Sequence, residues 1–191
     1  VEPDGTIHSF YQLQIAPVGH ASEGQLVCSF YGRSHVAGRG FGTPGMQYMG
    51  ARSSGVPTMA GMISAGDLKS GLEYVPHALA MSMTYNGLAA HAASAVFPAQ
   101  HSDDFNEGTG LQGGTANTGS IPLGALMMLP ADFAIPSDAP PEMRCIMRTL
   151  QVYGAYVVDR NTGTPFGIYV ENEPGTQTDS LNLHSLYPDY N

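Results

Sequence analysis

Histidine and aspartate near one another in space can act as a general base and its orienting carboxylate. His77 and the His101–Asp103 pair are the first candidates for that chemistry. His77 falls on the larger-residue face of an alternating stretch. His101 opens a polar loop that also carries Asp103 and Asp104. The alternative is a satisfied core histidine at 77 and a solvated loop at 101–104.

Tyr153, Tyr156 and the Asp159–Arg160 pair form a second set. Arginine neutralises a uronate carboxylate and acidifies the carbon acid beside it. Tyrosine or histidine then moves the proton, so these residue types suit β-elimination of an acidic polysaccharide. The alternative is that Tyr153 caps the core at the end of a helix and Asp159–Arg160 form a turn ion pair. A third set is Arg33, Arg39 and Arg52, three of only seven basic residues within one Gly-rich segment. Together they would hold a carboxylate or sulfate bidentately; alternatively they keep a long loop soluble. Asp103 or Asp104 with Asp159 or Glu171 would provide the carboxylate pair of a glycoside hydrolase, whose separation sets the mechanism.

Other patterns lead elsewhere. Ten methionines and seven histidines suit copper in principle. Met59, Met62, Met81, Met83 and Met127, however, fall where apolar core residues belong. No metal site is expected, and the sequence names no cofactor. The Gly38–Gly42 run lacks the strand and helix that a phosphate cradle needs. Cys28 and Cys145 allow one disulfide at most, or two buried thiols.

These residues need elements to position them. Thr6–Ile15 and Gln25–Tyr31 are β-branched, aromatic and bounded by Gly or Pro, as strands are. Residues 32–50 read as a long loop, and residues 101–119 as a second. Residues 64–71 suit a short helical turn or a loop. Tyr74–Tyr85 alternates strictly: Val75, His77, Leu79, Met81 and Met83 on one face, small residues on the other. Ser94–Ala99, Ile121–Leu129, Ala155–Asp159 and Phe166–Glu171 add strands, with Arg160–Pro165 as hairpin turn chemistry. One helix is expected over about residues 139–153. Pro140 or Pro141 opens it, Met143, Ile146, Met147 and Leu150 form its apolar stripe, and Gly154 ends it.

The predicted fold is therefore mainly β: a β-sandwich or jelly-roll-like architecture with one amphipathic helix and long Gly-rich loops. Residues 1–191 are read as a single β-rich domain, with residues 172–191 as a C-terminal arm.

Ser54–Met83, Val96–Asp103 (VFPAQHSD), Ile121–Pro130 (IPLGALMMLP) and Met147–Arg160 (MRTLQVYGAYVVDR) carry a resemblance. Through them residues 54–171 resemble a family of secreted bacterial proteins, mostly described as hypothetical. Where that family has glycine after Ser-Asp, this chain has Asp104. The resemblance implies a secreted, β-rich protein with further sequence upstream, so that the chain would be the C-terminal part of a larger precursor. It implies no catalytic residue.

Composition narrows the function classes. Only 12% of residues are charged and the net charge is −9, which argues against nucleic acid or an anionic membrane as partner. No apolar run approaches a membrane span of about 20 residues. A surface rich in Ser, Thr, Asn and Gly suits a secreted, periplasmic or cell-surface protein. The expected function is action on an extracellular polysaccharide, acidic if the arginines bind it, by a lyase or glycoside hydrolase. Catalytic work would fall to His77, His101, Asp103 and Tyr153. Substrate binding would fall to Arg33, Arg39, Arg52, Asp159 and Arg160. The alternatives are a non-catalytic glycan-binding or cell-surface module, and a structural subunit assembling through its loops and arm. A homo-oligomer or a partner chain cut from the same precursor fits the last.

Overall fold

The N-terminal strand does not run straight from Thr6 to Ile15. Gln12 takes a positive φ of 53°, and its Oε1 accepts a 2.6 Å hydrogen bond from the Ser29 hydroxyl. That kink divides each expected strand in two. The computed structural model, which describes residues 1–41, 49–69, 71–90, 95–102 and 116–171, places β1 at Thr6–Tyr11 and β2 at Gln14–Ile15. β3 spans Leu26–Val27 and β4 spans Phe30–His35. β1 pairs antiparallel with β4, with Thr6 opposite His35 and Tyr11 opposite Phe30; β2 pairs with β3. β4 takes the first residues of the expected 32–50 loop. Gly32 permits this, because a Cβ there would stand 2.6 Å from the Gly50 backbone, and one on Gly50 would stand 2.0 Å from the Val56 carbonyl oxygen. Backbone lies directly on backbone along this line, and only glycine fits.

α1 (Ala65–Lys69) is a single short turn with reciprocal capping. The Ser64 N–H donates to Asp67 Oδ2 (2.8 Å) and the Asp67 N–H donates to Ser64 Oγ (3.1 Å). β5 (Leu79–Thr84) begins later than the alternation from Tyr74 predicts. The preceding Val75 N–H donates to the Thr149 hydroxyl instead of to a strand partner. β6 is Leu126–Met127 and α2 is Pro141–Val152. β7 (Ala155–Asn161) and β8 (Phe166–Ile168) complete the order.

The four-stranded sheet has the order β6-β7-β5-β8. The expected β7–β8 hairpin is therefore not formed, because β5 lies between its two arms. β5 has a strand on each edge, and Leu79, Ala80, Met81 and Ser82 are all buried, so both of its faces are covered along this stretch. The small residues of the second face suit that burial rather than solvent. Most of the expected Ile121–Leu129 strand is reduced to isolated bridges, Leu88 to Ile121 and Ala95 to Leu123.

The chain divides into two compact units, each built from three segments. The first comprises residues 1–60, 82–125 and 157–167. Its core includes Ile7, Val56, Leu88, Leu123 and Val157, with the buried polar residues Ser9, Ser34, Ser54 and Asn117. The second comprises residues 61–81, 126–156 and 168–171, with Ile63, Val75, Leu79, Ile146, Thr149 and Ala155 in its core; the arm expected over residues 172–191 lies outside the described residues. β5, β7 and β8 each run through both. On α2 the buried residues are Cys145, Ile146 and Thr149; of the expected stripe Ile146 is buried, while Met143, Met147 and Leu150 are half-buried. Of the five methionines expected in the core, Met81 is the buried one, and Met59 is exposed. The secondary structure is mostly strand with few helices. Cys28 and Cys145 are free thiols.

Candidate functional site

β1 and β4 carry an aromatic face. In an antiparallel pair, directly opposed residues project to the same side, as do residues two apart on one strand. The register pairs His8 with Arg33 and Phe10 with Tyr31, which sets His8, Phe10, Tyr31 and Arg33 on one face. Ile7, Ser9, Gly32 and Ser34 take the other and are buried. The rings touch in sequence: Phe10 and Tyr31 centroids lie 5.4 Å apart. His8 stacks at 6.2 Å from Phe10 and 5.9 Å from Tyr31. Phe10 is 45% exposed and Tyr31 38% exposed.

Polar groups fix the edges of that face. His8 Nδ1 and the Tyr31 hydroxyl share a 2.8 Å hydrogen bond, and His8 Nε2 lies 3.1 Å from a Glu2 carboxylate oxygen. The Ala37 N–H donates to His35 Nδ1 (3.0 Å). His35 Nε2 therefore carries the proton and donates it to the Asp4 carbonyl oxygen (2.8 Å). The Asp4 carboxylate accepts the Thr6 N–H at 2.8 Å. That bond holds Asp4 below the usual carboxylate range, and the positive charge of Arg33 adds to the effect.

A second polar group gathers around the turn Arg52–Gly55, closed by a 2.8 Å bond from the Gly55 N–H to the Arg52 carbonyl. Asp159 Oδ1 accepts from the Ser53 N–H (3.2 Å), the Ser53 hydroxyl (2.5 Å) and the Arg160 N–H (3.0 Å). The Ser54 N–H donates to the Val158 carbonyl, and the Gln100 N–H donates to the Ser54 carbonyl. His101 follows immediately; a Cβ on Gly55 would lie 3.2 Å from its Nε2. Arg160 Nη1 donates to Asn117 Oδ1 at 3.3 Å, and its guanidinium stands 5.8 Å from the Tyr85 ring centroid.

The expected site residues separate accordingly. The three-arginine fork is not assembled. Arg52 is 4% exposed and its two terminal nitrogens donate to the carbonyl oxygens of Ala60 and Thr58, so it ties down its own loop. Arg33 and Arg39 are exposed. Asp159 and Arg160 share a neighbourhood with His101, although the Asp159 carboxylate is engaged by the Ser53 turn. His77, half-buried, precedes β5 instead of lying on it, with Nδ1 3.0 Å from the Ala78 carbonyl oxygen. Tyr153 is the C-cap of α2, its ring 5.9 Å from that of Tyr74. His77 and Tyr153 belong to the second unit and His101 to the first. Asp103 lies outside the described residues. The sequence marks His8, Phe10 and Tyr31 only as strand residues; the antiparallel alignment of TIHSFY with FYGRSH sets their rings side by side.

Among the described residues no group of three or more His, Cys, Asp or Glu side chains is placed to hold a metal ion. No described helix is long and apolar enough to cross a membrane. No protein-family model, curated protein or solved structure matches the chain.

Proposed function

We propose that the protein binds an extracellular polysaccharide on the exposed face of β1 and β4, as a non-catalytic glycan-binding module. The observation that supports this is the row His8–Phe10–Tyr31 with Arg33 beside it. The apolar C–H face of a sugar ring packs on solvent-exposed aromatic rings, while its hydroxyls meet the polar tips of Tyr31 and His8. Arg33 adds a fork suited to a carboxylate or sulfate. An acidic glycan is therefore favoured, against the long-range repulsion of a chain with net charge −9. Binding is preferred to lyase or hydrolase chemistry because the rings and the fork share one face. A secreted or cell-surface location and a jelly-roll-type sandwich belong to the same reading, which the composition and the mainly β secondary structure support.

Calorimetric titration with matched uronic-acid and neutral oligosaccharides tests it. Phe10→Ala and Tyr31→Ala should each weaken binding by about tenfold. Arg33→Gln should remove both the preference for the acidic ligand and its sensitivity to salt. Unchanged affinity in both aromatic variants would sink the proposal.

A further inference from the structure

The second unit holds a cavity of about 440 Å³ between α1, the turn that follows it and the first half of α2, within the usual size range of small-molecule sites. Its walls include Leu68, Leu72, Ile135 and Pro141, all aliphatic, and Cys145 also lines it. Two guanidinium groups line it as well, Arg144 and Arg148, four residues apart on α2 and hence neighbours on one helix face. Both are held in place. Arg144 Nη1 donates to the carbonyl oxygens of Ser137 (3.1 Å) and Ala139 (2.9 Å). Arg148 Nη1 donates to Gln151 Oε1 (3.1 Å), and its Nε lies 3.3 Å from Glu73. A guanidinium has five N–H donors in a fixed fork, and the two bonds from Arg144 use one of its three nitrogens. Glu73 is the one carboxylate among the lining residues, set against two fixed cations.

We propose that this cavity binds a small monocarboxylate with a short aliphatic tail. The carboxylate takes the donors of Arg144 and Arg148, and the tail lies on Leu68, Leu72, Ile135 and Pro141. Aliphatic walls without an aromatic ring favour an alkyl tail over a flat aromatic one. The two fixed forks favour an anionic head over a neutral or cationic one. This site is independent of the β1–β4 face and does not rest on the glycan reading.

Titrating the full chain with octanoate, 1-octanol and octylamine at constant ionic strength tests the proposal. Octanoate should bind saturably, and the alcohol and the amine about tenfold more weakly or worse. Arg144→Gln and Arg148→Gln should each weaken octanoate by about tenfold while the melting temperature stays close to the parent's. Leu72→Trp, at the exposed side of the cavity, should block binding without touching either arginine. Equal binding of all three compounds, tighter binding of the amine, no saturable binding of octanoate, or full octanoate binding by Leu72→Trp would each overturn it.

Discussion

Thr149 is fully buried, and its hydroxyl serves two masters. It donates to the Cys145 carbonyl one turn earlier at 2.8 Å, and it accepts the Val75 N–H at 2.8 Å. Val75 is itself 0% exposed, so no water can replace the acceptor. Thr149→Val keeps the shape of the side chain and exchanges the hydroxyl for a methyl group. The Val75 N–H is then buried without a partner, which costs about 1–3 kcal/mol. For a chain of this length that corresponds to a fall in melting temperature of roughly 2–4 °C per kcal/mol. Thr149→Ser retains the hydroxyl and loses one methyl group, so its cost should be smaller, about 1 kcal/mol. Denaturant unfolding of the three proteins reads the difference directly. A valine variant as stable as the parent, or a serine variant less stable than the valine one, would refute the placement of residues 74–78 against α2.

Other outcomes follow from the same structure. Burial, with the negative charge of Asp67 adding to it, pushes the Cys145 thiol up; a disulfide-exchange reagent at mildly alkaline pH should label the less buried Cys28 first, read by mass spectrometry of the peptides. Because the folded thiol titrates above its ordinary range, its contribution to stability is full below that range and is lost as pH rises through the shifted value. Asp4 has the opposite sign: its folded carboxyl titrates low, so its contribution is present above the usual aspartate range and lost as pH falls through the shifted value. A carboxyl-detected NMR titration should find Asp4 below the usual aspartate range. Gly50→Ala forces a Cβ against the Val56 carbonyl oxygen and should cost about 1–3 kcal/mol or more in chemical unfolding, whereas Gly19→Ala meets no neighbour within 4 Å and should suffer only from its positive φ.

Local chemistry was legible in the sequence wherever it acted locally. Pro141, the α2 residues after it and Gly154, at φ 73°, mark the long helix to within two residues at each end. β7 begins at Ala155, as its β-branched run predicts. What the sequence concealed depended on distant partners. The turn residues between β7 and β8 imply a hairpin, but nothing local announces that β5 enters between the two strands. Gln12 gives no signal of its kink, and the hydroxyl its side chain meets there belongs to the distant Ser29. Arg52 looked like a ligand-binding cation among loop glycines. Its acceptors, the carbonyls of Thr58 and Ala60, are backbone atoms that any sequence would supply. The aromatic face was hidden as well: Arg33 fell in the expected 32–50 loop, and only the β1–β4 register sets Tyr31 and Arg33 beside His8 and Phe10.

The most direct test of the glycan reading is the backbone NMR spectrum of the protein titrated with a uronic-acid oligosaccharide. The account predicts saturable shifts concentrated in residues 6–11 and 30–35, strongest at His8, Phe10, Tyr31 and Arg33, and reduced as salt is raised. Saturable shifts centred on His77, Tyr153 or His101, with β1 and β4 unmoved, would contradict it.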